Sequence, residues 1–265
     1  MAAVVLTACG GASSTVDPFK PTRVIGLGDG YNDATATVND GTSTRTVVGQ
    51  VAAYFGQTNV VSYAAATARI GGLAAQIDAV GSFSAGDLVV IAVGTFDVKA
   101  SAVPATEAQT LVNQVQRLKT AGVKHILIMP VLDVSRTPWG RAHSFDTTVT
   151  NTFNTTVLTA LSTAFGGQSP NTVIYANASG VTSLFLTATS VTTYSPFTDT
   201  GYNGTAGGTT PACGDAASFA GCTAGDVGVS TNYTTMLFAN GIHLTPAGNR
   251  WVAQYLYNAT AQGWR

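Results

Sequence analysis

Short runs of apolar, β-branched residues recur along the chain and alternate with segments of helical periodicity. Each run is short and continuously apolar, which is typical of strands that are covered on both faces. The predicted strands are residues 23–27, 60–64, 87–93, 125–131 and 172–175.

The segments between these runs repeat apolar residues every three or four positions, as amphipathic helices do. The last helix begins at Thr245-Pro246-Ala247, with a Thr as N-cap and a Pro at the first helical position. The alternation of strands and helices favours one α/β domain over residues 22–265, built on a parallel sheet with helices on both faces. The other predicted helices are residues 46–55, 104–122, 145–165 and a short one at 179–187.

Charged residues are scarce in this chain of 265 residues. Only 9% are charged, with 12 Lys and Arg against 13 Asp and Glu, whereas a typical soluble domain carries about 25%. Because no basic face exists to neutralise phosphates, the composition argues against nucleic-acid binding. A hydrophobic fraction of 45% excludes a disordered chain.

The first residues indicate an exported protein. The run Leu6-Thr7-Ala8-Cys9, followed by small residues, resembles the lipobox of bacterial lipoproteins, in which the Cys is lipidated and becomes the new N-terminus. Residues 1–21 are therefore interpreted as the remnant of a truncated signal and a linker, with a chance apolar start as the alternative. We expect a protein of the bacterial cell envelope, outer membrane or periplasm, or a secreted one. No other segment approaches the ~18 uninterrupted apolar residues of a membrane span, so Cys9 is the one expected membrane anchor.

Cys213 and Cys222 lie in a loop that is rich in Gly, Thr and Ala. Their spacing permits a short disulfide loop, which would be stable in an oxidising compartment. Neither belongs to a CxxC or CxxxH arrangement, so the sequence predicts no zinc site and no other metal.

Polar residues follow the predicted strands at their carboxyl ends, where open α/β sheets bind their ligands. Gly28-Asp29-Gly30-Tyr31-Asn32-Asp33 follows the first strand, Tyr63-Ala64-Ala65-Ala66-Thr67 the second and Gly94-Thr95-Phe96-Asp97 the third. Trp139 and His143 come after the fourth strand, and Asn240-Gly241-Ile242-His243 comes just before the last helix.

These blocks, in this order, resemble those of the SGNH/GDSL hydrolases over essentially the whole chain after residue 22. In members of that family, the four matching blocks carry the motifs G-D-S-x-x-D, a Gly, G-x-N-D and D-x-x-H. These enzymes hydrolyse esters with a Ser–His–Asp triad. The resemblance implies a flavodoxin-like three-layer α/β/α sandwich with a five-stranded parallel sheet. It also implies a monomer that uses no cofactor and acts on a small-molecule ester or an acylated glycan.

The chain departs from that family's catalytic pattern at four positions. Gly30 stands at the nucleophile position, Asn240 replaces the Asp that orients the His, Phe96 replaces the oxyanion-hole Asn, and Ala65 replaces the Gly; only His243 remains. Without a side-chain oxygen at residue 30, covalent acyl transfer there is impossible. Loss of one oxyanion donor costs roughly 3–4 kcal/mol, and Asp to Asn in a serine triad costs about four orders of magnitude in rate.

Two hypotheses remain open at this point. The first is a weak or altered ester hydrolase, in which His243 and a carboxylate such as Asp29 activate water, or a hydroxyl of Tyr31, Thr35 or Thr37 replaces the missing Ser. The second is a non-catalytic SGNH-fold envelope protein that binds an acylated or glycan ligand.

Several site candidates also have a structural interpretation. Asp29 and Asp33 are typical caps of a following helix. Gly94 and Asp97 are candidates for the pocket around the oxyanion, although Asp97, at a strand end, can also cap a helix or bond to the backbone. Tyr31, Trp139 and His143 are candidates for the lining of a ligand groove, with loop packing as the alternative.

Overall fold

The computed structural model describes residues 18–167, 171–176, 211–213, 222–224, 233–234, 236–262 and 264. Cys9 and the predicted helix at 179–187 lie outside these residues. The predicted disulfide is confirmed: Cys213 and Cys222 are bonded, with their Cα atoms 5.8 Å apart. Within the described part, no helix is long and apolar enough to cross a membrane.

Five parallel strands form one sheet in the order β2-β1-β3-β4-β5. Each predicted strand is present, although β2 and β4 both end two residues earlier than predicted. The strands are β1 Arg23–Gly28, β2 Val60–Ser62, β3 Asp87–Ala92, β4 His125–Met129 and β5 Val173–Tyr175. The predicted α/β fold with a five-stranded parallel sheet is therefore confirmed.

The helices that the periodicity predicts within the described residues are all present, and three short helices appear that it did not predict. The predicted ones are α1 Val47–Tyr54, α4 Pro104–Thr120, α6 Thr147–Phe165 and α7 Pro246–Ala259. The additional ones are α2 Leu73–Val80, α3 Thr95–Lys99 and α5 Pro138–Ala142. Helices of five residues, such as α3 and α5, hold too few turns to show a clear helical period.

Alternate residues of the strands pack on opposite sides of the sheet. On one side Val24, Leu88 and Leu127 join the buried residues of α1 and α7. On the other side Ile25, Val89 and Ile126 join those of α2, α4 and α6. Because both faces are covered by helices, the strands have to be apolar throughout, which explains their continuous hydrophobic runs.

Candidate active site

The loop after β1 is held in place by backbone contacts and by one buried amide. Gly28 has a φ of +109°, and a Cβ on it would collide with the carbonyl oxygen of Ala92. The Gln76 side chain accepts from the Gly28 N–H at 2.6 Å and donates to the Gly28 carbonyl at 2.9 Å. The chain thus leaves the sheet along a fixed path, which places residues 29–33 at the carboxyl edge.

Asn32 fixes the same loop from within the core. Its amide nitrogen donates to the carbonyls of Leu27 and Val90 at 2.9 and 3.0 Å, and its oxygen accepts from the Val48 N–H at 3.0 Å. This fully buried side chain therefore ties β1, β3 and α1 together. We did not single out Asn32 or Gln76 from the sequence, although a polar residue next to a buried strand was the available signal.

Asp29 is fully buried, and its side chain stabilises the local backbone. Its Oδ1 accepts from the Tyr31 N–H at 3.3 Å, so it closes the turn after β1. It does not cap the next helix as expected, because Thr46 is the N-cap of α1. Burial raises the pKa of Asp29 to about 7, against the opposing effects of bonds from Tyr31 and Thr95. A carboxyl group enclosed in this way cannot activate a solvent water.

Asp33 likewise closes a local turn, and the first helix after it begins only at Val47. Its Oδ1 accepts from both the N–H and the hydroxyl of Thr35, at 2.8 and 2.9 Å. The expectation that Asp33 caps a helix was therefore wrong.

The His243 imidazole lies against Gly30. A Cβ built on Gly30 would overlap His243 Nε2 and would lie 2.6 Å from His243 Cδ2 and 2.7 Å from the Ala36 Cβ. Real Cβ atoms essentially never come within 3.0 Å of a neighbouring heavy atom. The space that a nucleophile's side chain needs at position 30 is therefore occupied by the histidine ring.

The environment of His243 keeps its ring neutral. The residue is 1% exposed, and Tyr31 and Phe96 pack on the ring with centroid distances of 5.5 and 5.7 Å. Desolvation and, to a smaller extent, the charge of Lys99 lower the pKa of His243 to about 3, against the opposing effect of a bond with the Ala66 backbone. An imidazole with this pKa is a weak base, and in this position it is closed off from solvent.

Asn240 is used by the turn that carries His243. Its Oδ1 accepts from the N–H groups of Ile242 and His243 at 2.9 and 2.8 Å, and its Nδ2 donates to the Ala36 carbonyl at 2.9 Å. These bonds are all to main-chain groups, so the side chain fixes the turn before α7. It is not placed as the predicted partner of the imidazole Nδ1.

The residues at the expected oxyanion-hole positions also make hydrogen bonds and packing contacts within the protein. The Ala65 N–H donates to the Gly28 carbonyl at 3.1 Å. Gly94 has a φ of +113°, and a Cβ there would crowd Val131 and Phe153. Asp97 accepts from the Ile70 N–H at 3.1 Å, and burial raises its pKa to about 6. The backbone-bonding interpretation of Asp97 fits these contacts.

An aromatic and cationic cluster stands at the edge of this region, formed by Phe96, Lys99, Trp139 and His143. The His143 ring stacks on the Trp139 ring at 4.4 Å, and the Lys99 ammonium lies over the same ring at 4.2 Å. Both groups are therefore in direct contact with the indole. Lys99 also lies 5.2 Å from the Phe96 ring centroid. Trp139 and His143 were predicted from the sequence as groove residues, whereas Lys99 was not.

The hydroxyls considered as substitute nucleophiles all bond elsewhere. The Tyr31 hydroxyl donates to the Ile242 carbonyl at 3.3 Å, and burial raises its pKa. Thr37 donates to the Leu244 carbonyl at 2.7 Å, and Thr35 donates to Asp33. The structure brings Gly30, Tyr31, Phe96 and His243 together, but it does so as a packed cluster.

Comparison with known proteins identifies the family. Residues 14–256 match the GDSL-like lipase/acylhydrolase family. No curated protein is similar enough in sequence to be matched.

Solved structures share the fold at low sequence identity. A member of the lipolytic G-D-S-L family from Veillonella parvula is 14% identical, with a TM-score of 0.53 over 89% of this chain and 96% of that one. An acetylxylan esterase from Geobacillus stearothermophilus is also 14% identical, with a TM-score of 0.52 over 94% of this chain and 98% of that one. The sheet order, the strand-end blocks and the match over residues 14–256 lead to one conclusion: the chain belongs to the GDSL-like lipase/acylhydrolase family.

Proposed function

We propose that this chain is a non-catalytic member of the GDSL family, an exported envelope protein that binds an acylated glycan without cleaving its ester. One observation carries the proposal: the His243 ring occupies the space beside Gly30 into which a nucleophile's side chain would project. A site kept for hydrolysis needs that space for the attacking group and for the acyl carbon next to it.

The other requirements of ester hydrolysis are missing at the same place. A general base works best with a pKa near the working pH, whereas the pKa of His243 lies near 3. Oxyanion donors must point at the reacting oxygen, whereas the Ala65 N–H is bonded to Gly28 and Phe96 has no side-chain donor. These losses support binding over catalysis.

The cluster of Phe96, Lys99, Trp139 and His143 is the expected contact surface for the ligand. It combines partly exposed rings with an ammonium group that can donate to an ester carbonyl or a hydroxyl. Acetylxylan esterases are among the structures with this fold, so an acetylated xylan fragment is the appropriate first probe. The lipobox-like run at Cys9 and the bond between Cys213 and Cys222 support an exported location.

Thermal unfolding with acetylated xylo-oligosaccharides, combined with an acetate assay, tests both parts of the proposal. A ligand that binds only the folded state raises Tm by mass action, so we expect a concentration-dependent rise without acetate release. Lys99→Met, which keeps the stem and removes the donors, should reduce the rise. Release of more than one acetate per protein would overturn the non-catalytic role. Absence of any rise in Tm would overturn the proposed ligand.

A further inference from the structure

A groove of about 730 Å³ runs between α6, β5 and the end of α7, away from His243. Its lining includes Tyr255 and Asn258, whereas His243 precedes the first residue of α7 by three positions. At 1.5 Å per residue, Tyr255 and Asn258 lie about 14 and 18 Å along the helix from Pro246. The groove is therefore distinct from the family's catalytic position.

Among the residues that the structure describes, those that line the groove carry no charged side chain. A phosphate, a carboxylate or an ammonium ligand would lose its hydration there without gaining a partner, which is costly. The composition of the groove therefore selects an uncharged ligand. Its volume lies within the range of about 300–1,000 Å³ that is usual for small-molecule sites.

The groups that a ligand can reach are both apolar and polar. Leu161, Phe165 and Ile174 form a buried floor, whereas Leu158, which is 42% exposed, and Ser162, Asn171 and Asn258 are exposed at the rim. Hydroxyl and amide groups can both donate and accept hydrogen bonds. A groove that offers apolar contacts beside such groups suits a ligand that presents both C–H groups and hydroxyls.

Two tyrosines supply half-buried rings in the groove wall. The Tyr175 hydroxyl donates to Asn154 Oδ1 at 3.1 Å, which fixes its ring beside β5, and Tyr255 lies on α7. The Trp264 indole donates to the Asn171 carbonyl at 2.7 Å and so holds one edge of the groove. Aromatic rings beside amide groups match a sugar, which presents C–H groups on its faces and hydroxyls at its edges.

From this combination we infer that the groove between α6, β5 and α7 binds a neutral oligosaccharide. This inference does not depend on the proposed function, because it concerns another part of the surface and holds whether or not His243 takes part in chemistry. It gives the protein a second way to hold a glycan, independent of any acyl group.

Calorimetric titration with cellohexaose, xylohexaose and maltohexaose tests the inference. We expect at least one of them to bind, and Ser162→Arg, at an exposed rim position, to weaken that binding at least tenfold by filling the groove. Thr163→Arg is the matched control, since Thr163 is exposed on the same helix but does not line the groove. It should leave the affinity within twofold, and Tm values of both variants should show that they are folded.

Two results would overturn the inference: no binding of any of the three hexasaccharides at 10 mM, on the order of a 3 kcal/mol interaction, or equal binding by Ser162→Arg and the wild type. Repeating the titration in a Lys99→Met background separates this site from the cluster around Trp139, because Ser162→Arg should weaken hexasaccharide binding by the same factor there. If the groove does not bind an oligosaccharide, the proposed function is unaffected, because that function is tested with an acetylated ligand and with acetate release.

Discussion

Two sets of side chains at the carboxyl edge of the sheet can be compared: the buried amides that hold the loops, and the residues at the positions that we match to the family's catalytic groups. Buried amides that hold the loops use both their oxygen and their nitrogen: Asn32 on three backbone groups, Gln76 on Gly28, and Asn154 on Val131. The residues that we match to the family's catalytic positions are instead Gly30, Phe96 and Asn240. The edge keeps its architecture without a Ser, an Asn and an Asp at these three positions.

The difference shows that the fold does not depend on the catalytic side chains. Loops at a sheet edge must satisfy their backbone groups, since a buried polar group without a partner is costly. The amides meet that need, and Asn240 meets it in the turn before His243. A Ser at position 30 meets no such need, so its loss leaves the scaffold intact. The following substitutions test this contrast, beginning with the largest expected effect.

Replacing Asn32 should cost the most stability. Asn32→Leu would leave the carbonyls of Leu27 and Val90 and the N–H of Val48 without their partner, at about 1–3 kcal/mol for each group. We expect the free energy of unfolding in urea to fall by about 3–6 kcal/mol. Asn113→Leu, at an exposed position on α4, should change it by no more than about 0.5 kcal/mol. A loss below 1 kcal/mol at Asn32 would show that the amide does not hold this edge.

Asp29 should make stability depend on pH. Its pKa is about 7 in the folded protein and about 3.9 in an unfolded chain. The folded state therefore holds the proton more tightly, and the stabilisation present below pH 4 is lost as the pH rises through 7. Asp29→Asn stays neutral, so its stability relative to the wild type should increase between pH 4 and pH 8 by a few kcal/mol, at about 1.4 kcal/mol per pKa unit.

Chemical denaturation of both proteins across this pH range measures the difference directly. Asp97, whose pKa is raised to about 6, titrates in the same direction and is present in both proteins; its charge is coupled to that of Asp29, so an Asp97→Asn background isolates the effect of Asp29. A constant difference between the two proteins in that background would contradict the raised pKa of the buried Asp29 carboxyl group.

Gly30→Ala should have a smaller effect that depends on His243. The new Cβ would overlap the His243 ring and crowd Ala36, and overpacking of this kind costs about 1–3 kcal/mol. In a His243→Ala background the ring is absent, so the same substitution should cost less, and a double-mutant cycle measures the coupling. Gly71→Ala is the control, because a Cβ there meets nothing within 4 Å. Equal costs in both backgrounds would mean that the ring does not fill this space.

Much of the fold follows from the sequence because strands covered on both faces must be apolar along their whole length. The periodicity located β1, β3 and the long helices α4 and α6, whose apolar faces repeat over many turns. It missed α3 and α5, which have five residues each and depend on local contacts such as the cap by Thr137.

The sequence was enough to predict where the site lies in the fold, but not how its side chains are arranged. The order of the blocks located Gly30 and His243 at one edge of the sheet, and the absence of a Ser was visible in the sequence. The position of the His243 ring against Gly30 was not, because it depends on how Tyr31, Phe96 and the turn of Asn240 pack around it. The same holds for the burial of Asp29, which looks in the sequence like any strand-end carboxylate.

The most direct test of the central claim is the initial rate of 4-nitrophenyl acetate hydrolysis by the wild type, compared with His243→Ala at the same high concentration. If the His243 ring fills a disabled site, the two proteins will give the same rate, indistinguishable from the buffer background. Turnover by the wild type that disappears in His243→Ala would contradict the account and assign the protein to the active hydrolases of its family.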